Sequence, residues 1–109
     1  MAYVPTYSEL APSHEEIEAR SGPALLEFGA DWCGHCQGAQ PAIAAALAAC
    51  PTLPHIKIED GPGRRLGRSY RVKLWPTLVF LRDGQEVERL VRPTAEADVA
   101  AALGRLLAG

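Results

Sequence analysis

Cys33 and Cys36 stand three positions apart in the run Trp32-Cys33-Gly34-His35-Cys36. Two sulfurs at that spacing either open and close a disulfide or supply half of a metal site. On a helix, residues i and i+3 are neighbours, so the sulfurs come close enough to bond. The preceding segment, Ala24 to Ala30, is apolar apart from Glu27 and reads as a buried strand. The following segment, from about Cys33 to Ala49, is rich in helix formers between Ala39 and Ala48. The pair therefore sits where a strand hands over to a helix. The first N–H groups of a helix lack partners and carry partial positive charge, which favours a thiolate, the species that attacks disulfides. Cys33, at the helix end, is expected to be exposed and to attack. Cys36, one turn in, is expected to be buried and to resolve the mixed disulfide. Gly34 is expected to allow a tight turn. His35, when protonated, adds positive charge beside the thiolate.

The metal reading needs further ligands. No second C-x-x-C or C-x-x-H follows at finger spacing, although Cys50 and the three histidines are available to complete a site. Three cysteines are an odd and sparse set for a secreted disulfide scaffold. The N-terminus has neither a basic n-region nor an apolar h-region, which reads as a mature cytoplasmic chain.

The elements that must hold the dithiol are those of one domain. The chain has 109 residues, of which 48% are hydrophobic, with 11 basic and 13 acidic side chains and a net charge of -2. That length suits a single domain, 1–109, able to fold without staples. The charge leaves no nucleic-acid footprint, and no apolar run is long enough to span a membrane. Tyr3 to Tyr7 reads as an extended start. Ser13 and Glu16 form a capping box for a short helix to about Ala19, which Gly22-Pro23 breaks. Pro41 falls inside the long helix, where it should introduce a kink. A strand is expected over Leu53 to Glu59, a short basic helix over Arg64 to Tyr70, and a strand over Thr77 to Leu81. Asp83-Gly84 signals a two-residue hairpin into a strand from Glu86 to Val91. Thr94 is the expected cap of a last helix, Ala95 to Leu107, with Val99, Leu103, Leu106 and Leu107 on one stripe. Alternating βα units followed by a hairpin predict an α/β domain with a mixed sheet between helices.

These residues resemble the thioredoxin family over nearly the whole chain. Leu26 to Cys36 matches the family's strand and active-site loop, and Pro41 its helix proline. Trp75-Pro76-Thr77 resembles its cis-proline loop, and Arg82-Asp83-Gly84 its hairpin turn. The resemblance implies the thioredoxin fold, expected here as a five-stranded mixed sheet flanked by about four helices. It also implies that Pro76 is cis and lies against the sulfurs. Glu27 stands where the family carries a buried aspartate that moves protons for the second cysteine; burial should raise its pKa. His55 falls near the family's lysine partner of that acid, or else is an exposed strand histidine. Trp75 precedes the proline, where the family pairs its backbone with an extended substrate chain. Trp32 would shield the dithiol. Two departures stand out. His35 replaces the usual proline, giving the Cys-Gly-His-Cys run of disulfide isomerases. Arg92-Pro93 stands where the family has a glycine, which bears on docking to a standard reductase.

The resemblance therefore implies a thiol–disulfide oxidoreductase acting on protein disulfides and recharged by a reductase or another dithiol donor. It would need no cofactor beyond its own redox-active disulfide, and nothing demands more than a monomer. An oxidising or isomerase-like protein, a redox-inactive binding module or co-chaperone, and a metal or iron–sulfur protein remain alternatives. Cys50 reads as a structural thiol.

Overall fold

Side chains in a strand alternate between faces, and β1 (Pro23–Gly29) uses both. Leu25 packs into one core, while Leu26 and Phe28 pack into another on the opposite face. Leu78 and Phe80 of β3 (Thr77–Arg82) join the first core; Val79 and Leu81 join the second. In this computed structural model, which describes residues 2–109, the order along the chain is α1 (His14–Glu18), β1, α2 (Gly34–Leu47), β2 (His55–Glu59), α3 (Arg65–Ser69), β3, β4 (Gln85–Val91) and α4 (Glu96–Ala108). Met1, the first residue of the expected 1–109 domain, lies outside the described residues.

The sheet runs β2-β1-β3-β4, with β1 and β2 parallel and the other pairs antiparallel. The first core is closed by α2 and α4 through Ile43, Leu47, Val99, Leu103 and Leu106. The second is closed by Ile17 of α1 and Leu66 of α3, with Tyr70 beside them. The result is the expected α/β arrangement, a mixed sheet with helices on both faces. No helix among the described residues is long and apolar enough to cross a membrane.

The expected fifth strand is missing from the sheet. Tyr3 to Tyr7 lies along β2, but only Ser8 forms a bridge, to Ile58. Side chains have taken the backbone groups that a ladder would use. Lys57 Nζ donates to the carbonyls of Val4 (3.0 Å) and Pro5 (2.9 Å), Asp31 accepts from the N–H of Tyr7 (3.0 Å), and Pro5 has no N–H to offer. The final helix also differs. It starts at Glu96, so its N-cap is Ala95 with no side-chain cap, and Thr94 lies outside it. Glu96 and Asp98 in the first turn supply negative charge to that end instead. The α1 capping box is present in both directions, at 3.1 and 2.9 Å. Asp83 and Gly84 both take positive φ, 51° and 76°, as a type I′ hairpin requires.

Phe80 is fully buried at the centre of the larger core. Phe80→Ala should cost about 3–5 kcal/mol of folding stability, read from chemical denaturation, because the cavity cannot be filled by rigid neighbours in the central strands.

Candidate functional site

The two sulfurs meet at the start of α2. Cys33 is the N-cap, with extended backbone at φ −80° and ψ 122°, and its Sγ accepts from the Cys36 N–H at 3.3 Å. A helix N-terminus favours negative charge at that atom's position. Both residues are free thiols. Cys33 keeps 9% of its surface and Cys36 1%, so the order of access is as expected but Cys33 is itself largely covered. Both cysteines belong to a packed cluster with Tyr7 and Ala30, and Trp75 packs against it. Burial pushes the Cys36 thiol up to about 12, and a hydrogen bond with Cys33 adds to the rise.

Around the pair, Gly34 and His35 are exposed on the first turn of α2. Gly34 does not serve a tight turn: it is helical, and a Cβ there would meet nothing within 4 Å. Trp32 is 73% exposed, so it is no core residue; its ring meets Trp75 edge-on at 5.6 Å. The Trp75 indole N–H donates to Asp60 at 2.8 Å, fixing the wall beside the sulfurs. The Trp75-Pro76 bond is cis and Pro76 is buried. Arg92 takes φ +53°, so the backbone keeps the left-handed geometry that glycine would favour. Its Nε donates to the Trp75 carbonyl at 2.8 Å, and its N–H to the Pro76 carbonyl at 2.8 Å.

Behind Cys36 lies a buried polar network that strand parity assembles. Leu25, Glu27 and Gly29 face α2, and the register Leu25↔His55 and Glu27↔Lys57 puts both partners on the same face. Glu27 has no exposed surface. Its Oε1 pairs with His55 Nε2 at 2.8 Å; its Oε2 accepts from the Tyr7 hydroxyl and from Gln40 Nε2 at 3.0 Å. The Val4 N–H donates to His55 Nδ1 at 2.9 Å, so the ring proton sits on Nε2 and points at the carboxylate. His55 is thus the buried partner of Glu27, not an exposed strand residue.

The expected rise of the Glu27 pKa is overturned. Burial pushes it up, but the hydrogen bonds from His55, Tyr7 and Gln40 outweigh burial and hold the carboxyl below its ordinary value. Lys57, also buried, spends its three N–H donors on Val4, Pro5 and Gln40 Oε1, the last at 2.6 Å. Sequence reasoning missed Tyr7, Gln40 and Lys57. Parity on β2 points to Lys57 once His55 is chosen, and Gln40 is four residues beyond Cys36 on one helix face; nothing local marks Tyr7.

Among the described residues no three His, Cys, Asp or Glu side chains gather as a metal ligand set. Cys50 lies just past the far end of α2 and packs against the main core.

A family model described as Thioredoxin matches residues 6–105. The chain belongs to the thioredoxin family. Thioredoxin 2 of Pseudomonas aeruginosa, solved in its reduced form, is 54% identical with a TM-score of 0.87, covering 95% of this chain and 96% of its own. Thioredoxin of Chlamydia trachomatis is 38% identical over 71 residues, 65% of this chain and 70% of its own length. Human protein disulfide-isomerase A2 is 46% identical over 73 residues, 62% of this chain but only 14% of its own length. This thioredoxin-family chain is a protein-disulfide oxidoreductase, and Cys33 and Cys36 are its C-x-x-C pair. As in the family at large, its partners are protein disulfides and a reductase.

Glu27 gives the thioredoxin-like site an acid limit. Its folded pKa lies below the ordinary 4.5, so its stabilisation is complete above that value and is lost as pH falls through the lower, folded one. Denaturant midpoints taken from neutral pH down to about pH 3 should fall. In Glu27→Gln, which cannot ionise, the fall should be visibly shallower.

Proposed function

We propose that this chain works chiefly as a disulfide reductase, with Cys33 as nucleophile and Cys36 as resolving thiol. The Cys33 thiolate attacks one sulfur of a substrate disulfide; the Cys33–substrate bond forms and the first substrate thiolate leaves. Cys36, deprotonated, then attacks the Cys33 sulfur; the internal disulfide forms and the second substrate thiolate leaves. Two electrons pass to the substrate, the Cys36 proton goes to a base, and the departing thiolates take up protons. The observation that carries this reading is the placement of Cys33 as acceptor at the α2 N-terminus with Cys36 one turn inward.

The surrounding residues have roles consistent with that chemistry. Glu27, ionised behind Cys36, accepts the resolving thiol's proton. His35 sets the poise of the dithiol. Trp32, Gly34, Trp75 and Pro76 form the substrate face, with bare backbone at Gly34 and the two indoles in edge-on contact. The bound Arg92 side chain competes for the Trp75 carbonyl, so a substrate chain pairing there displaces it. The protein acts as a monomer in a reducing, cytoplasmic compartment, with no cofactor besides its own disulfide. An isomerase-like role is the second reading. It is favoured by the Cys-Gly-His-Cys run and by the likeness to a segment of protein disulfide-isomerase A2.

Insulin reduction driven by a chemical dithiol tests the reading. Turnover should be lost in Cys33→Ser, and Cys36→Ser should accumulate mixed disulfides; a folded wild-type chain without turnover would favour a binding module. Titration against glutathione gives the potential. His35→Pro should lower it by on the order of 30 mV, equivalent to roughly 1.4 kcal/mol, because the mutation removes a side chain able to add positive charge beside the thiolate. An unchanged or higher potential would count against that role.

A further inference from the structure

The resolving step leaves a proton to be disposed of in a place water hardly reaches. Cys36 is 1% exposed and its thiol is held protonated at neutral pH by burial. Glu27 is the ionised base behind it, but its Oε1 is committed to His55 and its Oε2 to Tyr7 and Gln40. The group that touches the carboxylate and also packs in one cluster with Cys36 is the Tyr7 phenol. Its hydroxyl donates to Glu27 Oε2, and its side chain shares that cluster with Cys36. The two side chains share the space above Gly29. A Cβ at that glycine would come within 2.6 Å of Cys36 Sγ and 2.7 Å of the Tyr7 hydroxyl oxygen, so any other residue would drive phenol and sulfur out of position.

We propose, building on the reductase reading, that Tyr7 relays the proton of Cys36 to Glu27 during the resolving step. The Cys36 S–H bond breaks as its proton moves to the phenol oxygen. The phenolic proton moves to Glu27 Oε2, leaving a neutral acid, a neutral phenol and a Cys36 thiolate. The thiolate attacks Cys33 and expels the substrate thiolate. Reduction of the internal disulfide by the dithiol donor runs the proton back.

The rest of the site is arranged for this. Tyr7 is anchored by Asp31, which accepts its N–H, and by the neighbouring Ser8 bridge to β2. Burial and the Glu27 charge raise the phenol's pKa well above its ordinary value, so it passes protons on without resting as a phenolate. The charged and titratable groups that face it are Glu27 on β1, Cys36 on α2, Lys57 on β2, with Nζ 4.7 Å from its ring centre, and Asp31 before α2. A small cavity of about 90 Å³, lined by Tyr7, Asp31, Cys36, Gln40 and Lys57 among others, offers the competing route, a water molecule acting in place of the phenol.

An aromatic disulfide with a coloured thiolate separates the steps, since attack by Cys33 releases the first thiolate and resolution by Cys36 the second. In the full-length, reduced chain, Tyr7→Phe should leave the first phase within about twofold. The second phase should slow about tenfold or more at neutral pH and recover as pH rises and hydroxide takes over. Glu27→Gln should slow the same phase, and the double variant should be no slower than the worse single one, because serial members of one relay are not additive. A folded Tyr7→Phe chain with a wild-type second phase would assign the proton to cavity water and overturn the proposal. So would additive losses, or equal slowing of both phases. If Tyr7→Phe does not fold, fluorotyrosine at position 7 preserves the shape while making the phenol more acidic. The second phase alone should then change, and an unchanged one overturns the relay. A wild-type chain that releases no thiolate would instead sink the reductase reading itself.

Discussion

Glu27 lies in the middle of the sheet with no surface open to water. An ionised carboxylate in such a place costs several kcal/mol unless its lone pairs are met by well-placed donors. Those donors arrive from three directions: His55 on β2, Gln40 on α2, and Tyr7 from the segment before α1. Each is held in turn. The Val4 N–H fixes the His55 tautomer, Lys57 and the Cys36 carbonyl fix Gln40, and Asp31 fixes the backbone of Tyr7. One buried charge thereby ties the chain start, the sheet and the active-site helix into a single arrangement.

The dithiol is asymmetric because of where it stands relative to that charge. Cys33 is the cap of α2 and keeps the larger share of exposed surface, beside Trp75, whose ring meets Trp32 edge-on. Cys36 is turned inward over Gly29, next to the network. The outer sulfur stands at the helix end, where its Sγ accepts from the Cys36 N–H. The inner one is held neutral by burial until a base is supplied. Order of attack and direction of proton flow both follow from this one difference of a helical turn.

Most elements were legible because their signals are local. The Ser13–Glu16 capping box, the Asp83-Gly84 hairpin and the alternation of β1 and β3 depend on residues within a few positions of one another. The discrepancies have the opposite character. The fifth strand is lost to Lys57, Asp31 and Pro5, and the sign of the Glu27 shift is set by three donors far from it in sequence. Thr94 failed as a cap because the helix start slid by one residue, a boundary that local signals fix poorly.

By itself the sequence determined the dithiol, its place between a buried strand and a helix, and the α/β class, since spacing, hydrophobic period and turn chemistry are properties of neighbouring residues. Only the tertiary structure decided which groups answer the buried carboxylate, that Cys33 is itself mostly covered, and that Tyr7 bonds to Glu27 while packing in one cluster with Cys36. Those facts depend on contacts between segments that are distant along the chain. Burial and hydrogen bonding there are set by the packing of whole elements, which no local pattern encodes.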